Sequence, residues 1–191
     1  MKILARTQFG NPILRRVAAP VAPAELSSEE IQELIANMRH TLIEKKLGIG
    51  LAAPQVGVSR AIVVIAIRPL AHRHKVEPFD LTLINPEIAE CIGRRTPMYE
   101  GCLSGGPGKA SLLAKVPRYK KVKVRYLDET GKEHHQTFEG LQAHVIQHEV
   151  DHLYGILFVD KVKDTKSYLT YAEYMKRARK ALVKKPKPSR P

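Results

Sequence analysis

Gln147-His148-Glu149-Val150-Asp151-His152 is the stretch from which the organisation of this chain is read. It holds a His-Glu-x-x-His pattern. On a helix, residues i and i+4 share one face, so both imidazoles can reach a single metal ion. Glu149 projects beside that ion, where a carboxylate handles the protons of a water. Leu141, Val145, His148 and His152 follow helical spacing, so the histidines continue an apolar, inward-facing stripe. Gly155 then offers a C-terminal stop. A surface helix with scattered polar residues is the bland alternative, and the apolar stripe argues against it.

Working outward, Lys121–Leu127 and His134–Phe138 alternate as strands joined across Asp128-Glu129-Thr130-Gly131, a hairpin leading into the central helix. Arg60–Ile67 reads as a buried strand rich in Val and Ile, and Leu81–Asn85 as a short strand closed by Pro86. Ile156–Val159 reads as a last short strand. A first helix begins at Ser27 or Ser28, with Ser27-x-x-Glu30 as capping box and Ile31, Leu34, Ile35, Met38 and Leu42 as its apolar stripe. A final helix is expected over Lys166–Lys185, with Tyr168, Tyr171, Ala172 and Met175 on one face. The tail from Lys185 reads as disordered.

The chain has 191 residues, of which 43% are hydrophobic and 27% charged, enough for one core without staples. Its longest apolar run, Ala61–Ile67, is far too short to cross a bilayer, and residues 1–6 lack a signal-peptide core. A cytoplasmic protein with no membrane partner is the expectation. The net charge of +13 favours contact with a polyanion, RNA above all. From Lys176 onward eight residues are basic and none is acidic; a solvated end and an RNA contact are both open readings.

The two cysteines differ. Cys91 reads as a small buried side chain. Cys102 follows a glycine in Glu100-Gly101-Cys102-Leu103-Ser104 and, with His148 and His152, completes a Cys-His-His set that leaves a fourth position for water. An inert buried thiol is the competing reading. Upstream, Gly48-Ile49-Gly50-Leu51-Ala52-Ala53-Pro54-Gln55 permits close approach to main chain, and Gln55 stands as a lone amide that needs a partner. His72 and His74, in a polar loop, read as solvated.

These three segments, in this order and at these separations, resemble the signature motifs of the peptide deformylases. The likeness extends to Asn11–Arg15, Leu83–Glu87 and Val116–Arg118, and covers about residues 8–165. With the elements above it implies an α+β fold: small antiparallel or mixed sheets wrapped around a central metal-binding helix, with an N-terminal helix and a basic C-terminal one. Residues 1–165 would be the catalytic domain and 166–191 a basic helix and disordered tail.

The resemblance implies hydrolytic removal of the N-formyl group from the initiator methionine of nascent polypeptides. Cys102, His148 and His152 would hold one divalent ion, Fe2+ foremost, with Zn2+, Ni2+ or Co2+ as substitutes. Glu149 would be general base and then acid, and Gln55 with the Leu103 N–H would stabilise the oxyanion. Ile49, Gly50 and Val145 would bind substrate, the first two through main-chain groups like an added strand. Formylated nascent peptides and, through the basic helix, the ribosome would be partners of a monomer.

Two departures stand out. The interval from Ser104 to Val116 is several residues longer than the family pattern and opens with Gly105-Gly106-Pro107-Gly108-Lys109. Lys109 or Lys115 would supply any basic contact to substrate there. His144 stands one turn before His148, where an apolar residue is usual, placed to hydrogen-bond locally. Two rival readings are a zinc peptidase taking Glu173 as third ligand and an RNA-associated module with a structural metal. Phe158 excludes the peptidase pattern with a third histidine at that position.

Overall fold

The computed structural model describes the chain except for residues 45–47, 70–75, 107–110 and 184–191, and the side chains of 181–183. His72, His74, Lys109 and the tail from Lys185 therefore lie outside the described residues. Among the described residues, six strands form one antiparallel sheet. They are Gly50–Ala52 (β1), Ile62–Ile67 (β2), Phe79–Gly101 (β3), Leu112–Leu127 (β4), Glu133–Glu139 (β5) and Leu169–Thr170 (β6). Spatial order is β1-β2-β3-β4-β5, with β6 on the first residues of β4. Three α-helices among the described residues, Glu29–Glu44 (α1), Gly140–Leu153 (α2) and Tyr171–Val183 (α3), complete the expected α+β architecture.

β2 explains how the layers meet. All six of its residues are buried. Val63, Ile65 and Ile67 join the cluster that holds Val145, Ile146 and Val150 of α2. Ile62, Val64 and Ala66 join the cluster that holds Ile31, Ile35, Met38 and Leu42 of α1. A strand covered by a helix on each face must be apolar throughout, hence its unbroken Val-Ile composition. Each such side chain contributes about 1.5–3 kcal/mol of burial.

The central helix is buried more completely than a stripe requires. Every residue from Ala143 to Leu153 is buried, so α2 is enclosed on all sides. It starts after the hairpin at Gly140 (φ 58°) and stops at Gly155 (φ 70°). At Gly155 a Cβ would lie 2.6 Å from the main chain of Arg15, so close packing as well as backbone conformation demands glycine.

Five local readings need correction. Ser28, not Ser27, caps α1: its hydroxyl accepts from Ile31 N at 3.3 Å, because a preceding 3-10 turn carries the chain on to Ser28. Pro86 does not close its strand; β3 continues to Gly101. Asn85 takes φ 51° and the pairing shifts between Ile84 and Glu87, a bulge that frees Pro86 from supplying a ladder N–H. Cys91 is exposed, not buried. Ala89, Glu90 and Cys91 are all exposed, so there β3 runs past the layer that covers it.

Residues 158–161 form a 3-10 helix rather than a strand, fixed by the Asp160 carboxylate accepting from Leu157 N at 2.8 Å. The last helix begins at Tyr171, not Lys166. The Ser167 hydroxyl donates to the Asp164 carbonyl at 2.6 Å, and the next residues are spent on β6.

Candidate active site

α2 presents His148 to a cleft of about 500 Å³, within the range of about 300–1,000 Å³ usual for ligand sites, and holds the ring of His152 beside it, with centroids 5.0 Å apart. The loop after β3 brings Cys102 to them. The donor atoms of Cys102, His148 and His152 all lie within 4.8 Å of one another, and all three residues are buried. Cys102 Sγ is 3.3 Å from His152 Nε2. A thiol and two imidazoles converging out of bulk water are a donor set for a soft-to-borderline divalent ion. The third-ligand expectation for Cys102 thus has its geometry. Glu173 does not join the group; it pairs on α3 with Lys176 and Arg177.

Glu149 follows His148 on α2 and lies against β1. A Cβ at position 50 would fall 2.3 Å from its Oε1, so Gly50 is the gap that admits this carboxylate. Its Oε2 is buried without a hydrogen-bond partner among the described residues. Burial pushes the Glu149 carboxyl up to about 7, with His148 and Arg118 opposing and Glu100 adding to the shift. A group poised near neutrality suits proton transfer.

Gln55 is held by its own amide oxygen, which accepts from Ala52 N at 2.8 Å. Its Nε2 thereby faces Cys102 Sγ at 3.3 Å and Ser104 Oγ at 3.4 Å. The lone amide does have partners, and they belong to the site. Leu103 lines the same cleft, its carbonyl accepting from Arg6 Nη1 at 3.0 Å. Ile49, Gly50 and Val145 line it too. The Ile49 carbonyl is already engaged, accepting from Ala66 N at 3.1 Å.

Sequence reasoning gave no role to Glu100, Arg118 or Asp151, yet they order the site. Glu100 Oε2 accepts from His148 Nδ1 at 2.7 Å, turning the other ring nitrogen to the cleft. Arg118 grips Glu100 with Nε at 2.7 Å and Nη2 at 3.0 Å, and pairs through Nη1 with Asp151, which Lys161 meets at 2.9 Å. Burial alone would raise the Glu100 carboxyl, but His144, His148 and Arg118 hold it well below the usual carboxylate range. A buried, bound acid in the same motif as the cysteine was the available signal. His144 Nε2 lies 2.8 Å from Glu100 Oε1 without the alignment of a hydrogen bond. The ring of Phe158 stacks on that of His148 at 6.2 Å, which gives this non-ligand a packing role.

Against known proteins, the family model for polypeptide deformylase matches residues 3–168. The chain belongs to the polypeptide deformylase family. It is 43% identical over 162 residues to the peptide deformylase of Thermomicrobium roseum, covering 85% of this chain and 86% of that one. To the Aquifex aeolicus peptide deformylase it is 40% identical over 168 residues, covering 88% and 92%. A Met-Ala-Ser-bound class I type b peptide deformylase from Acinetobacter baumannii superposes with TM-score 0.78 at 37% identity, over 84% of this chain and 98% of that one. An actinonin-bound form of that protein gives 0.74 at 36% identity, over 84% and 99%. As a deformylase the chain is a hydrolase.

Proposed function

We propose that this deformylase removes the N-formyl group from the initiator methionine of nascent polypeptides, releasing formate, with one divalent metal ion held by Cys102, His148 and His152. One observation carries the reading: a thiol and two imidazoles converge within 4.8 Å beside a buried carboxylate whose Oε2 has no hydrogen-bond partner among the described residues. When bound, such an ion supplies positive charge that acidifies water and polarises the formyl carbonyl. Thiolate and imidazole donors suit Fe2+, and Zn2+, Ni2+ or Co2+ are substitutes.

The chain's own groups do the rest. Glu149, with its carboxyl near 7, takes the proton of the attacking water and returns it to the departing amine. The Gln55 amide, fixed by Ala52, and the Leu103 N–H donate to the oxygen on which charge develops. Since the Ile49 carbonyl is engaged by Ala66 N, strand alternation turns the main-chain groups of Gly50 to the free edge of β1, where an extended peptide adds as a strand. Ile49 and Val145 offer apolar surface to the methionine side chain. The peptide ligand of the Acinetobacter relative supports such a groove.

Residues 1–165 supply the metal donors, Glu149, Gln55 and Leu103 in this reading. The exposed cations of α3, Lys176, Arg177, Arg179 and Lys180, serve the ribosome as an anionic partner. We take the enzyme to act as a monomer in the cytoplasm; among the described residues no helix is long and apolar enough to cross a membrane.

The test is anaerobic purification with iron, metal analysis and formate release from formyl-Met-Ala. Bound metal with formate release is expected, and Cys102→Ser should lose both. No formate from the iron-loaded protein would overturn the assignment.

A further inference from the structure

The cleft has a wall that lies outside the match to the family model. Tyr171 and Tyr174 of α3 line the same cavity as Cys102, His148 and Glu149, although α3 lies beyond residue 168, where the family match ends. These tyrosines are held in place. Leu169 and Thr170 of β6 pair with Leu113 and Leu112 of β4, and Tyr171 N donates to the Ser111 carbonyl at 2.8 Å. The Ser111 hydroxyl in turn donates to the Gly106 carbonyl at 2.8 Å.

The lengthened interval before Val116 therefore has a structural use. It provides the edge of β4 on which the C-terminal segment docks. Tyr174 then meets Tyr99 edge to face, with ring centroids 5.5 Å apart, and the Lys115 ammonium lies 5.5 Å from the centre of the Tyr99 ring. Leu169 is buried, and Tyr168 packs against the cluster around Cys102 and Phe158.

We propose that Tyr171 and Tyr174 are specificity-determining residues of the peptide groove, favouring apolar side chains in the residues that follow the formylated methionine. The inference rests on the deformylase reading above. A peptide laid along β1 advances about 3.4 Å per residue with alternating side chains, so its later residues must pass some wall of the cleft. That wall is aromatic and anchored. Rings that present large, stiff apolar surface at small entropic cost discriminate in favour of apolar partners.

The experiment compares kcat/KM for formyl-Met-Ala-Ser, formyl-Met-Leu-Ser and formyl-Met-Ala-Leu on the full-length, metal-loaded enzyme and on Tyr171→Ala and Tyr174→Ala. The native enzyme should favour at least one leucine peptide over formyl-Met-Ala-Ser by about tenfold, the scale of a pocket contact. Either alanine variant should bring that ratio towards one, and Tyr174→Phe should keep it. A native enzyme that treats the three peptides alike overturns the proposal whether or not the variants fold. So does an unchanged ratio in both alanine variants. Formate from none of the three would instead sink the deformylase reading, and this one with it.

Discussion

Gly50 and Glu149 are in direct apposition: a Cβ on residue 50 would lie 2.3 Å from the Glu149 carboxylate. The edge strand proposed to receive substrate and the carboxylate proposed as base are thus fitted to one another. Gly50→Ala must push either β1 or Glu149 aside. Because none of the three converging donors is touched, metal content should stay at the native level while kcat falls about a hundredfold, the lower range of general acid–base contributions. Native turnover in the variant would show that the apposition does not matter.

Glu100 orients His148 and is itself gripped by Arg118. Glu100→Gln keeps the shape but weakens the hold on the imidazole, so metal affinity should drop about 10–100-fold, read by competition with a chelator. Arg118→Ala is a harsher change. It leaves Glu100 and Asp151 without their shared cation, and denaturant unfolding should register a loss of about 3–5 kcal/mol. Unaltered affinity in the first variant would reduce Glu100 to a packing role.

Away from the site, the hairpin turn carries its own acid sensitivity. The Thr130 hydroxyl first, then His134, hold the Asp128 carboxyl well below its ordinary range. A carboxyl lowered in the folded state contributes stability above its unfolded value, about 3.9, and loses it as pH falls towards the folded value. Asp128→Asn should therefore lower Tm at neutral pH, with the gap to native narrowing below about pH 4. A gap that stays constant on acidification would contradict the linkage.

The central chemistry was legible because it obeys a local rule. His148 and His152 share a helical face by spacing, and Gln55 was conspicuous as an amide among small apolar residues. The course of β3 was not legible, since Pro86 is an ordinary stop signal unless a bulge at Asn85 removes the need for its N–H. The pairing of Glu100 with Arg118 depends on register across two long strands interrupted by three shifts. Spacing along the chain cannot supply that. The docking of Tyr171 and Tyr174 hangs on two strand residues and one backbone hydrogen bond, too short a signal for any periodicity. The interval before Val116, which read only as a departure, proved to be the surface those residues use.

The most direct measurement is made on Glu149→Gln. Metal per chain and formate release from formyl-Met-Ala are determined on the same iron-loaded preparation. Native metal content, held by Cys102, His148 and His152, is expected together with a loss of kcat of at least about a hundredfold. Formate release at the native rate from the metal-loaded variant would contradict that expectation.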